Sequence, residues 1–255
     1  MNNIFNHFSD ILDEMIDEFD FFKAYFQNPI SLEEDVGYEE ETNFFRKNNL
    51  AIHFGATRGC LIDKNYDYVI KFDLDECEHG SCDDEINIYQ EAKDENLEQY
   101  LLEPLFLGVY TKKIRYYDYT DIIDKLDMSY FSETFSEDVN NYLEAGDYVK
   151  EEIIIRVPLY AYPRAERYNF KRVDKKSDEI SSFISSHSSS PLITSNPSVG
   201  LELITFYGEE EFNRLSAFFR ERDIDDFHAG NLMLRNNKLY FSDYCGFRDN
   251  CLTFS

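Results

Sequence analysis

Two aspartates and one asparagine late in the chain have the types and spacing for phosphate chemistry. They lie in Asp225-Asp226-Phe-His-Ala-Gly-Asn231-Leu-Met-Leu-Arg-Asn-Asn-Lys-Leu-Tyr-Phe-Ser-Asp243-Tyr-Cys-Gly246. The pattern predicts a helix that ends, a short polar loop and then a hairpin. Leu232-Met-Leu is one strand, Asn236-Asn237 the turn and Leu239-Tyr-Phe the return. A hairpin brings Asn231, just before it, near Asp243, just after it, and Asp226 on the same loop comes close to both. Two carboxylates and an amide converging in this way are hard oxygen donors. They suit Mg²⁺ or Mn²⁺, Mg²⁺ being held through one or two side chains plus phosphate and water. Phosphoryl transfer calls for such a set, because its catalysis is mostly positioning and charge neutralisation.

Asp-x-His-x-Gly-Asn, followed by a hairpin and a further Asp, resembles the catalytic loop and metal-binding motif of the protein-kinase-like superfamily. The His two places after the Asp is similar to the atypical and small-molecule branches, and to the short serine/threonine kinases of some tailed phages. The resemblance implies ATP with Mg²⁺ or Mn²⁺ as cofactors. It also implies that Asp226 orients the acceptor hydroxyl or accepts its proton, and that Asn231 and Asp243 hold the metal. Upstream, Gly55-Ala-Thr-Arg-Gly59 stands in an expected turn between two strands, as a phosphate-covering glycine loop would. Lys71, in Val-Ile-Lys, resembles the family's strand lysine, which contacts the α- and β-phosphates. The family pairs that lysine with a glutamate on the next helix, for which Glu85 is the candidate and Glu91 the alternative. His228 reads first as a residue that stabilises its loop, and second as a contact to the γ-phosphate.

The chain departs from the family pattern in three places. The metal motif reads Asp243-Tyr-Cys-Gly246, with its glycine one place late. The glycine turn has two glycines rather than three. Ser255 stands only twelve residues beyond Asp243, too few for the usual activation segment and the helices after it. The expected fold is therefore α+β and bilobal, protein-kinase-like with a truncated C-lobe. Residues 1–44 form an acidic helical extension, 45–120 the ATP-binding lobe and 121–255 the C-lobe. The catalytic loop lies at 225–246.

The elements that must position these residues are legible in part. Ile4, Phe8, Ile11, Leu12, Met15, Ile16 and Phe19 recur in steps of three and four, which marks an amphipathic helix within 1–30. Its other face carries Asp10, Asp13, Glu14, Asp17 and Glu18 and reads as a solvated surface, with partner binding as the alternative. Pro29 and Glu33–Glu41 read as a linker. Strand patterns follow at Leu50–Gly55 and Tyr66–Phe72. Ser81 is a good N-cap for a helix running to about Lys93, with acids in its first turn. Two further strands are expected at 104–110 and 115–119, an acidic helix over 121–150 and a short strand at 152–158. The Ser-rich stretch 171–198 reads as a flexible insertion, and Glu209–Arg222 resumes helical spacing.

Composition bounds the partners. Asp and Glu number 51 against 25 Lys and Arg, a formal charge of −26. Such a field repels nucleic-acid phosphates and anionic membranes, so direct binding to nucleic acid or membrane is not expected. A basic protein substrate is. Cys77, His79 and Cys82 lack a second ligand pair at matching spacing and are not read as a metal site. No signal peptide or apolar run of membrane-spanning length is present, which places the expected location in the cytoplasm. The first expectation is a minimal serine/threonine protein kinase. The alternatives are a small-molecule kinase of the aminoglycoside or choline kinase type, and an acidic pseudokinase that inhibits a DNA-handling protein.

Overall fold

The computed structural model describes residues 2–18, 44–54, 58–73, 81–117, 149–168, 182, 184–187, 189–194, 197–224, 227 and 229–244. The chain is an α+β protein with antiparallel sheets. It divides into two compact units, Met1–Glu76 with Phe106–Ala161, and Cys77–Leu105 with Tyr162–Ser255. No helix among the described residues is long and apolar enough to cross a membrane.

The first unit is built on a five-stranded sheet of β1 (Leu50–Phe54), β2 (Arg58–Asp63), β3 (Tyr68–Asp73), β4 (Leu105–Tyr117) and β5 (Val149–Pro163), in the order β1-β2-β3-β5-β4, with Leu105 of β4 and Tyr162 and Pro163 of β5 counted in the second unit. Alternation sets its faces: Gly59, Leu61 and Asp63 of β2 and Ile70 and Phe72 of β3 are buried, while the residues between them are half-buried.

Helix α1 (Asn2–Glu18) buries Phe8, Leu12, Met15 and Ile16 completely, so the stripe read from the sequence is the packed face. Its acidic face is only partly solvated. Lys112 Nζ lies 2.7 Å from Asp17 Oδ1 and 3.1 Å from Asp13 Oδ1, and the Tyr110 hydroxyl donates to Asp13 at 2.7 Å. His7 bonds to Asp63 at 2.8 Å and stacks on Tyr66. Gly108 on β4 holds φ at +146°, and a Cβ there would meet the Phe5 ring at 3.2 Å. The helix is thus fastened within its own unit by apolar burial, ion pairs and close backbone approach. Its apolar face is not available to a partner.

Three expectations are corrected here. A strand, β2, lies where only a turn was expected between β1 and Tyr66, and a second turn over 64–67 follows it. Its pattern, Arg58-Gly-Cys-Leu-Ile-Asp, is weakened as a signal by a glycine and two terminal charges. β4 is one strand rather than two: within the polar stretch Thr111-Lys112-Lys113, Lys112 pairs with Asp13 and Asp17 of α1 and Lys113 with Glu152 of β5, and the stretch is not a turn. Residues 149–150 begin β5, which runs well beyond 152–158; the rest of the expected acidic helix lies outside the described residues.

The second unit holds α2 (Cys82–Asp94), α3 (Pro191–Thr194), α4 (Pro197–Tyr207), α5 (Glu209–Glu221) and a three-stranded antiparallel sheet of β6 (Glu166–Arg167), β7 (Leu232–Arg235) and β8 (Lys238–Phe241). Ser81 caps α2 in a reciprocal box. The Asp84 N–H donates to Ser81 Oγ at 3.1 Å, and the Ser81 N–H to the Asp84 carboxylate at 3.0 Å. Leu192 and Ile193 join Leu203, Phe212 and Leu215 in the core. The described end of the Ser-rich stretch is therefore packed structure and not an appendage. Pro191-Leu-Ile is the apolar segment that draws it inward.

Candidate functional site

The loop that carries the sequence motif is set by how α5 ends. Asp223 takes a left-handed backbone with φ of 52°. Its N–H donates to the Arg220 carbonyl at 3.2 Å, and the Ile224 N–H to the Phe219 carbonyl at 3.0 Å. This pair of bonds is a Schellman motif, completed by the burial of Ile224 and Phe219. Arg222 fixes the same corner. It pairs with Glu91 at 2.5 Å and Glu95 at 2.8 Å, both on or beside α2, and lies 3.7 Å from the centroid of the Phe218 ring.

The next anchor is Phe227, which is fully buried. Its ring centroid lies 4.5 Å from that of Phe219 and 5.3 Å from that of Phe241 on β8, and Phe219 and Phe241 are 5.2 Å apart. Three aromatic rings, from α5, from Phe227 and from β8, thus pin the chain at Phe227. Phe227 stands between Asp226 and His228 in the sequence; those two, like Gly55, lie outside the described residues.

A 3₁₀ turn, Ala229–Asn231, leads into the hairpin. β7 and β8 pair from Leu232↔Phe241 to Arg235↔Lys238, and Asn236 and Asn237 both hold positive φ, 52° and 59°. That is the two-residue turn the Asn-Asn pair predicts. The Ser242 N–H donates to the Asn231 carbonyl at 2.9 Å. The tie closes the base of the hairpin through main-chain atoms and sets Asn231 and Asp243 at the same end. Asn231 is buried and Asp243 half-buried.

Beyond Asp243, Tyr244 is fully buried and donates its hydroxyl to the Leu102 carbonyl at 3.0 Å. The Leu102 N–H in turn donates to the Phe241 carbonyl at 2.9 Å, and Leu101 bridges Phe241 in parallel. The chain is clamped on both sides of Asp243.

Glu85 on α2 is fully buried and accepts a hydrogen bond from the Tyr162 hydroxyl. Burial, then the charge of Glu85, hold the Tyr162 phenol well above its ordinary range; Cys82 and Tyr244 act in the same direction. Glu91 faces outward and pairs with Arg222.

In the first unit, Lys71 lies on β3 opposite Cys60, and Gly59 is paired with Phe72 one place along. The two are neighbours on adjacent strands. Gly59 is in β2 itself, not in the turn, and its lack of a side chain has a packing reason. A Cβ there would come within 2.4 Å of the Phe72 ring.

Asn231 and Asp243 are therefore brought together in the second unit, and Gly59 and Lys71 in the first. An amide oxygen and a carboxylate fit a hard cation by donor type. Among the described residues, no group of three or more His, Cys, Asp or Glu is placed to hold a metal. Cys77 and His79 lie outside them, and Cys82 is buried without a disulfide. Sequence reasoning missed Tyr162 and Phe227. Leu159, Tyr160, Ala161 and Tyr162 are all buried, and nothing local in the sequence ties Tyr162 to Glu85.

Against known proteins, the chain matches no family model and no curated protein.

Proposed function

We propose that the chain is an ATP-dependent phosphotransferase with a bilobal protein-kinase-like fold, acting on Ser or Thr of basic protein substrates. The observation that carries this reading is the closed base of the β7–β8 hairpin. There Asn231 and Asp243 share one end, directly after the loop pinned by Phe227. Support also comes from Lys71, which stands on the third strand of its sheet, where protein kinases carry their phosphate-contacting lysine. The net charge of −26 favours a cationic acceptor.

In this reading Asn231 and Asp243 would hold Mg²⁺ or Mn²⁺, which supplies neutralisation of phosphate charge. Asp226 orients the acceptor hydroxyl and takes its proton as the acceptor oxygen bonds to the γ-phosphorus. The bond from that phosphorus to the β,γ-bridging oxygen breaks, and ADP leaves. Lys71 contacts the remaining phosphates, and Glu85 takes the part of the acidic residue that the family pairs with this lysine. His228 stabilises its loop.

Incubation with labelled ATP, Mg²⁺ or Mn²⁺ and generic basic proteins tests the reading. Transfer is expected, with loss in Asp226→Ala and Asp243→Ala. Label that persists in those variants removes the assignment of the two aspartates. Transfer confined to amino-sugars or amino-alcohols moves the acceptor to the small-molecule branch. Absence of both transfer and nucleotide binding by the intact protein overturns the phosphotransferase reading.

A further inference from the structure

The buried pair of Glu85 and Tyr162 is not accounted for by the motif. Glu85 is a carboxylate with no exposed surface, and Tyr162 is 1 % exposed. They are 77 residues apart in sequence and joined by one hydrogen bond, the phenol donating. Burying a carboxylate costs several kcal/mol unless donors meet it. A phenol meets it without adding charge. It also fixes the side chain in one rotamer, because the ring itself is locked by packing. The backbone under Glu85 is held as well, since the Ser81–Asp84 capping box sets the first turn of α2. Cys82 and Tyr244 are close enough to Tyr162 to act on its phenol, and Tyr244 is the neighbour of Asp243, with its own hydroxyl committed to Leu102.

We propose that Tyr162 is a positioning residue for nucleotide binding, its hydroxyl holding the Glu85 carboxylate in the orientation that phosphoryl transfer uses. The proposal rests on the phosphotransferase reading and extends it to a residue outside every motif. Because burial and the Glu85 charge raise the phenol's pKa, Tyr162 stays a donor throughout the neutral and mildly alkaline range.

The test is steady-state transfer of label from ATP to a basic protein by the intact chain, by Tyr162→Phe, by Glu85→Gln and by the double variant. Tyr162→Phe keeps the ring and its packing and removes only the oxygen. The expected result is a KM for ATP raised about 10-fold in Tyr162→Phe, the loss of one hydrogen bond to a charged group. A smaller change in kcat is expected, and little further effect of Tyr162→Phe in the Glu85→Gln background. A merely structural tyrosine would lower the active fraction, and hence kcat, without moving KM. Should Tyr162→Phe fail to fold by circular dichroism, Glu85→Gln carries the same KM readout. A KM within twofold of the intact chain, or effects of the two substitutions that simply add, overturns the proposal while leaving the phosphotransferase reading in place. No transfer by the intact chain removes both.

Discussion

Truncation of Phe227 isolates the device that holds the proposed catalytic loop. The side chain is fully buried, with its ring 4.5 Å from Phe219 at an interplanar angle of 53° and 5.3 Å from Phe241 at 70°. Removing such a ring costs its transfer free energy, about 2–3 kcal/mol. Two tilted aromatic contacts of about 0.5–1.5 kcal/mol each are lost with it. Phe227→Ala is thus expected to destabilise by about 3–6 kcal/mol, and Phe227→Leu, which refills part of the space, by about 1–2 kcal/mol. Urea unfolding followed by far-ultraviolet circular dichroism reads both. In a double-mutant cycle with Phe219→Leu, the ring pair should show a coupling of about 0.5–1.5 kcal/mol. Folded Phe227→Leu should also transfer phosphate about 10- to 100-fold more slowly, since Asp226 is its direct neighbour and small displacements of reacting groups are costly. A Phe227→Ala cost below about 1 kcal/mol, or strict additivity with Phe219→Leu, would refute the three-ring anchor.

Other perturbations follow from the same geometry. Gly59→Ala places a Cβ within 2.4 Å of the Phe72 ring and should destabilise by about 1–3 kcal/mol in urea titrations; a neutral result would mean that Phe72 does not cover Gly59. Asp223→Gly should stabilise by about 1 kcal/mol, because a φ of 52° is strained for a residue with a Cβ; a fall in the urea midpoint would speak against the Schellman corner. Stability should also fall in alkali. Burial, with Glu103 and Glu98 nearby, pushes Tyr89 up to about 12, and burial with a hydrogen bond to Glu211 does the same for Tyr100. Their contribution is whole below the unfolded phenol value near 10 and is lost between there and about 12. Roughly 1 kcal/mol each should have gone by pH 11, seen as a lower urea midpoint than at pH 8. Lys112→Met should speed hydrogen exchange in α1 with a cost of only about 1 kcal/mol, since its partners Asp13 and Asp17 are largely exposed; unchanged exchange would mean that the Lys112 ion pairs do not help hold α1.

What could be read in advance depended on how local the cause was. Asn236-Asn237 specifies its turn by tolerance of positive φ, Ser81 specifies a helix start through Asp84 three residues on, and the Phe8–Leu12–Met15 spacing specifies a buried stripe. Each is complete within a few residues. β4 was misread because the reason it continues through Thr111-Lys112-Lys113 lies on another element: the carboxylates of α1 accept Lys112 about 100 residues away in sequence. β2 was missed for a related reason. Its glycine, a turn signal by itself, is required by Phe72 on the neighbouring strand. The polar composition of the Ser-rich stretch reads as an insertion, whereas its described segment Pro191-Leu-Ile is apolar and is buried with Leu203, Phe212 and Leu215 of α4 and α5.

The same distinction applies to the proposed site and has a consequence for how it tolerates change. The backbone at 231 and 243, the proposed ligand positions, is held by main-chain and neighbouring contacts. Asn231 is set by its main-chain carbonyl accepting from Ser242, and Asp243 by Ser242 before it and Tyr244 after it. The loop preceding them is set by Phe227 and by the Schellman corner of α5. Glu85 is a buried carboxylate that accepts from a phenol on a distant strand. It is the point where stability and the proposed activity are carried by the same contact, and where a conservative loss of one oxygen should be felt first.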